Sequence, residues 1–102
     1  MENEIKGKIT VHCNEFYFGK YGGSYDVYCF SNGSNEMFYL VINPNYETMV
    51  LNRIELENFI KENQLEKKGV SIEKKSYSSV NTLKNAMIRH LKSISEKCFE
   101  WK

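Results

Sequence analysis

The stretch Phe16-Tyr17-Phe18-Gly19-Lys20-Tyr21-Gly22-Gly23-Ser24-Tyr25-Asp26-Val27-Tyr28-Cys29-Phe30-Ser31-Asn32-Gly33 sets two runs of strand-forming residues around a double glycine and closes the second on Asn-Gly. Aromatic and β-branched side chains suit a pleated, half-buried surface, and both glycine pairs suit the positive φ of tight hairpin turns. Two-residue turns centred on Gly22-Gly23 and Asn32-Gly33 pair Phe18 with Val27, Phe16 with Cys29, Val27 with Phe38 and Tyr25 with Leu40. Because side chains alternate along a strand, these registers send Phe16, Phe18, Tyr25, Val27, Cys29, Phe38, Leu40 and Ile42 to one core face. Tyr17, Tyr28, Phe30, Met37, Tyr39 and Val41 go to the other.

Working outward, Ile9, Val11 and Cys13 run on odd positions while Phe16 and Phe18 run on even ones, so a bulge or break near Asn14 is expected to restore the phase. Downstream, Asn43-Pro44-Asn45-Tyr46 suits a turn with proline at its second position, and Thr48 to Leu51 reads as a returning strand. Asn52 and Glu55 form a capping-box pair, with Leu51 and Leu56 as a hydrophobic staple, so a helix is expected to begin at Arg53. Its buried stripe is Leu56, Phe59 and Ile60, and Lys67-Lys68-Gly69 is expected to close it. Val70 to Tyr77 alternates as one more strand. Ser78 or Ser79 caps a second helix whose Val80, Leu83, Met87, Leu91, Ile94, Cys98 and Trp101 form one apolar stripe.

The fold expected is α+β. An antiparallel β-meander of three to five strands is followed by a helix, a strand and a long C-terminal amphipathic helix packed on one sheet face. The 102 residues, 41% hydrophobic and 26% charged, suit a single globular domain over 1–102 and exclude a multidomain enzyme. No run of about 18 apolar residues offers a membrane span, and Met1-Glu2-Asn3-Glu4 is acidic where a signal peptide is basic. Three widely spaced cysteines, Cys13, Cys29 and Cys98, make a poor disulfide framework. A cytoplasmic protein with reduced thiols, away from membranes, is the expectation.

Catalytic chemistry finds little to work with. His12 and Cys13 are strand neighbours facing opposite ways, so they cannot chelate a metal together. Cys29 and Cys98 read as small core residues, and His90, bordering the apolar stripe, reads as a half-buried packing residue. Asp26 is the sole aspartate and no acid–base pair stands out. The glycines of residues 19–23 join two strands instead of feeding a helix, which removes a phosphate-loop reading. The expectation is a protein that is not an enzyme, with no metal and no cofactor.

What remains is surface. The net charge of +1 hides an asymmetry, with three lysines against six acids in residues 1–51 and eleven basic groups against seven acids in residues 52–102. The basic excess after Lys67 reads either as a solvated helix with a lysine-protected edge strand or as a contact face. The second sheet face carries Tyr17, Tyr28, Phe30, Met37 and Tyr39, residue types that carry binding energy in interfaces. Either this aromatic face is open for docking, or its tyrosines pave a wetted sheet or lie under a helix that crosses to that side.

The first functional reading is a non-catalytic protein-binding module whose partner is another protein, docking through Tyr17, Tyr28, Phe30, Met37 and Tyr39. Heavy use of Lys, Asn, Ile and Glu with one proline suits an AT-rich bacterial or phage genome. In size and style the chain resembles phage or mobile-element inhibitors of host defence, anti-CRISPR proteins among them. That resemblance implies an anti-defence inhibitor. The second reading is a single-stranded nucleic-acid binder, with sheet tyrosines stacking on bases while Lys74, Lys75, Arg89 and Lys92 follow phosphates. A third use of the second helix is homodimerisation through Met87, Leu91, Ile94, Cys98 and Trp101.

Overall fold

Antiparallel strands joined by short turns fold beside their sequence neighbours, and the chain follows that rule through its first four strands. The computed structural model describes residue 5, residues 7–33 and residues 35–100, with side chains through residue 94. Its elements are β1 (Ile9–Gly19), β2 (Ser24–Ser31), β3 (Met37–Ile42), β4 (Thr48–Leu51), α1 (Arg53–Glu62), β5 (Leu65–Tyr77) and α2 (Val80–Glu100). The five strands form one antiparallel sheet in the order β4-β3-β2-β1-β5. This is the α+β meander expected, and α2 packs on the sheet through Val80 and Leu83.

The hairpin registers differ from the two-residue expectation. Phe18 pairs with Ser24 instead of Val27, and Val27 pairs with Val41 instead of Phe38. At the first turn Gly19 donates to the Gly23 carbonyl at 3.1 Å and Gly22 to the Gly19 carbonyl at 3.0 Å. Three residues therefore make the bend, and Gly22 and Gly23 sit at φ 95° and 88°, where a side chain would be strained. Each register is displaced by three positions, an odd number, so every residue of β2 turns to the opposite face. The displacements cancel between β1 and β3, whose faces stay as expected.

The bulge that the phase change in β1 requires lies at His12, two residues before Asn14. Val11 pairs with Phe30 and Cys13 with Cys29, leaving His12 unmatched. Its Nε2 lies 2.8 Å from the Ser31 hydroxyl. Ile9 and Val11 thereby share a face with Phe16 and Phe18, while Cys13, Glu15 and Tyr17 turn to the other.

Helices lie on both faces of the sheet, so of the alternatives for the second face it is the helix crossing to that side that holds. Beneath α2 lie Ile9, Val11, Tyr28, Phe30, Leu40, Ile42 and Val50, joined by Val80 and Leu83. Beneath α1 lie Tyr17, Val27, Cys29, Tyr39 and Val41, joined by Leu56. Both helix starts follow from their caps. Asn52 Oδ1 accepts from the Glu55 backbone at 2.8 Å while Glu55 Oε1 accepts from the Asn52 backbone at 2.9 Å. Ser79 Oγ accepts from the Thr82 backbone at 3.1 Å at the start of α2.

The end of α1 differs from expectation. The helix stops at Glu62, Gln64 takes φ 49°, and the chain enters β5 at Leu65. Lys67-Lys68-Gly69 therefore belongs to a strand, because an antiparallel partner along β1 is available as soon as the chain leaves the helix. His90, expected half-buried, is exposed. Of the α2 stripe, Val80 and Leu83 are buried, Met87 and Leu91 are partly covered, and Ile94 remains 46% exposed. The side chains of Cys98 and Trp101 lie outside the described residues.

One buried charge stands out. Asp26 is 8% exposed, opposite Phe16 and Ile42 on the α2 face. Burial pushes its carboxyl above the usual aspartate range, against the opposing pull of a hydrogen bond from Asn14 and the nearby His90. A raised acid in the folded state favours folding fully only at pH below its unfolded value, and the penalty grows as pH rises through the folded value. Asp26→Asn is therefore expected to gain about 1 kcal/mol at pH 7, with the gain vanishing below about pH 4. Thermal melts of the two proteins across that interval measure it.

Candidate docking site

Three rows of side chains run across the α1 face. The first is Leu51, Tyr39, Cys29, Cys13 and Ile72. The second is Met49, Val41, Val27, Glu15 and Val70, and the third is Tyr25, Tyr17 and Lys67. The helix α1 lies over the β3 and β4 end of these rows, with Leu56 buried and Phe59 and Ile60 beside it. At the other end Val70 and Ile72 of β5 are exposed, so the β5 margin of these rows stays uncovered.

Between α1 and the sheet runs a groove of about 390 Å³ whose lining includes Tyr17, Cys29, Met37, Tyr39, Arg53 and Lys67. A second hollow of about 380 Å³ shares Met37, Tyr39 and Arg53 with it. The groove's polar groups are bonded to each other. The Tyr17 hydroxyl donates to Glu15 Oε1 at 2.8 Å, and Lys67 Nζ contacts Glu15 Oε2 at 3.1 Å. Arg53 donates from Nη1 to the Tyr39 hydroxyl at 3.3 Å and from Nε to Glu57 Oε2 at 3.1 Å. Burial, then the bond to Glu15, drives the Tyr17 hydroxyl well above the ordinary tyrosine range, so it stays neutral. The exposed Arg53 is held charged by Tyr39 and Glu57.

The expected aromatic contact residues divide between the two faces. Tyr17, Met37 and Tyr39 come together along the groove, but Tyr17 and Tyr39 are 6% and 5% exposed and form its floor. Tyr28 and Phe30, at 4% and 0%, lie on the opposite face in the core under α2, because the three-residue register displacement inverted β2. An open tyrosine sheet for a partner protein or for stacked bases is thus corrected: Tyr17, Tyr28, Phe30 and Tyr39 are buried.

The basic residues also separate. Lys75 lies on β5 with its ammonium 5.5 Å from the Tyr77 ring, and Lys92 lies 5.4 Å from the ring of Tyr46 in the β3–β4 turn. The strand order puts β5 and that turn at opposite margins of the sheet. Lys74 and Arg89 are exposed. No group of three or more His, Cys, Asp or Glu side chains converges as a metal site among the described residues. No described helix is long and apolar enough to cross a membrane.

The lysine-bearing edge strand read in the sequence is β5, and the feature missed there is its exposed apolar centre. This thirteen-residue strand bonds to β1, and no described strand pairs with its other side. Val70 is 55% exposed and Ile72 78% exposed, both on the α1 side. Register shifts flank them, between Phe16 and Tyr17 on one side and between Val11 and Cys13 on the other. The segment Gly69-Val70-Ser71-Ile72 between those shifts carries no charge, while Lys67, Lys68, Lys74 and Lys75 stand beyond it. The signal available in the sequence was this apolar alternation between lysine pairs, which reads equally well as a strand half-buried on one face. No family model matches the chain, and no curated protein or solved structure matches it.

Proposed function

We propose that this protein is a non-catalytic protein-binding module that takes an extended segment of a partner protein as a sixth strand along β5. One observation carries the reading: a long strand whose outer hydrogen-bonding side pairs with no described strand presents two exposed apolar side chains at its uncharged centre. Backbone N–H and C=O groups along such an edge supply affinity to an added strand, and alternate side chains supply selection. Edge lysines usually act as protection, but here they frame the apolar centre instead of interrupting it. Lys67 and Lys68 are paired with Glu15 and Glu66, whereas Lys74 and Lys75 outnumber Glu73, so the segment that fits is apolar at its centre and acidic where it runs past Lys74 and Lys75. Docking without chemistry suits an inhibitor or adaptor, and a composition that suits an AT-rich bacterial or phage genome supports reading it as a phage or mobile-element anti-defence inhibitor.

The test uses capped synthetic peptides of alternating valine and threonine, flanked by glutamate pairs or by lysine pairs, with binding read by fluorescence anisotropy. The glutamate-flanked peptide is expected to bind at least tenfold more tightly at low salt, with the difference fading as salt rises. Ile72→Lys is expected to weaken that binding about tenfold or more and to leave the melt within a few degrees of wild type, because Ile72 is exposed. Equal affinity for both peptides, or unchanged binding by the variant, would sink the reading. A concentration-dependent dimer abolished by Ile72→Lys would assign the edge to a second copy of the chain instead.

A further inference from the structure

The bulge at His12 has a chemical consequence on the α1 face. Without the extra residue Cys13 would share the face of Val11, under α2. With it, Cys13 lies directly across from Cys29 on the neighbouring antiparallel strand. Cross-strand partners have Cα atoms about 4.5–5.5 Å apart, inside the range of about 4.4–6.8 Å that a disulfide spans. The two residues are direct cross-strand partners on the α1 face, close enough that Cys13 acts electrostatically on the Cys29 thiol. Both are free thiols, Cys29 buried in the groove floor and Cys13 half-buried beside the uncovered β5. Cys13 is the more exposed of the pair, and Cys29 lies directly across from it.

We propose that Cys13 and Cys29 are an oxidisable dithiol that a low-molecular-weight disulfide converts into an intramolecular disulfide tying β1 to β2 at the bulge. The inference stands apart from the docking role of β5. In the first step the Cys13 thiolate attacks one sulfur of the external disulfide, whose sulfur–sulfur bond breaks and releases one thiolate, which takes up a proton from water. In the second, Cys29 gives its proton to solvent and attacks the Cys13 sulfur of the mixed disulfide, releasing the other thiolate. Two protein thiols are oxidised and one external disulfide is reduced to two thiols. Burial, with the neighbouring Cys13 adding to it, pushes the Cys29 thiol up to about 12. The closing step is therefore slow at neutral pH and quickens about tenfold per pH unit as thiolate appears.

The experiment uses the full chain carrying Cys98→Ser, so that the pair supplies the only thiols. The folded protein is incubated with oxidised glutathione at pH 7 to 9 and followed by intact mass and thiol alkylation. The expected result is loss of both thiols with a mass decrease of about two units, faster at pH 9 than at pH 7 and reversed by a reductant. Adding Cys29→Ala is expected to stop the reaction at a glutathione adduct on Cys13, which separates closure from simple surface oxidation. Two thiols that stay alkylatable in the folded protein, a glutathione adduct that persists unclosed at pH 9, or a disulfide-linked dimer would each overturn the proposal.

Discussion

Val27→Asp is expected to abolish folding. Val27 is 0% exposed at the centre of β2, the middle strand of five, between Glu15 on one side and Val41 on the other. An aspartate there brings a carboxylate into a site walled by Cys29, Val41 and Leu56, with another carboxylate opposite it. An uncompensated buried charge costs several kcal/mol, and the lost packing of the valine adds to it. A domain of this size has about 5–15 kcal/mol in total. Circular dichroism should show no cooperative thermal transition for this variant under conditions where the wild type melts sharply. A folded protein with a melt within a few degrees of wild type would contradict the placement of Val27.

Tyr28→Ala is the second large effect, and it is where sequence and structure disagree most sharply. On the expected register Tyr28 faces outward, and its loss should cost a partner's affinity while sparing the fold. In the structure Tyr28 is 4% exposed against Leu40 and Asn14 in the layer beneath α2. Its hydroxyl is driven above the ordinary tyrosine range by burial, with Asp26 adding to the effect. Truncating a buried aromatic side chain costs about 3–5 kcal/mol, which lowers Tm by more than about 10 °C in a chain of this length. A melt unchanged by the substitution would restore Tyr28 to the surface and the aromatic face with it.

The two hairpins show why apparent agreement in the sequence was not independent support. On Gly22-Gly23 and Asn32-Gly33 alone, both turns read as two-residue bends. Both actual registers are longer, ending at Phe18 with Ser24 and at Ser31 with Met37. Because both differ by the same odd number, the two expectations agreed with each other while placing β2 backwards. A glycine marks where the backbone can turn, but loop length is decided by how the flanking strands bury their side chains. For β2 that decision was close: Val27 and Cys29 offer one apolar face, and Tyr28 and Phe30 offer another. With helices on both sides of the sheet, both faces are core, so alternation within β2 carried no information about direction.

The candidate site was legible only in pieces. Tyr17, Met37 and Tyr39 were correctly grouped on one face, because the two register displacements cancel between β1 and β3. Their burial was not legible, since it depends on α1 crossing to their side of the sheet. The facing of Cys13 and Cys29 required the bulge and the correct hairpin register together. The open side of β5 required knowing that this strand joins β1 instead of β4.

By itself the sequence determined the local events: the capping box at Asn52 and Glu55, the cap at Ser79, the turn at Asn43 to Tyr46, the strands between them and the need for a bulge in β1. Each depends on hydrogen bonds or side-chain phase within a few residues, which a linear string contains. Only the tertiary structure decided which face each helix covers, which way β2 points, and which edge is left open. Those outcomes depend on how residues far apart in the chain share one limited apolar surface. Two strand faces of similar hydrophobicity leave that choice to the whole molecule.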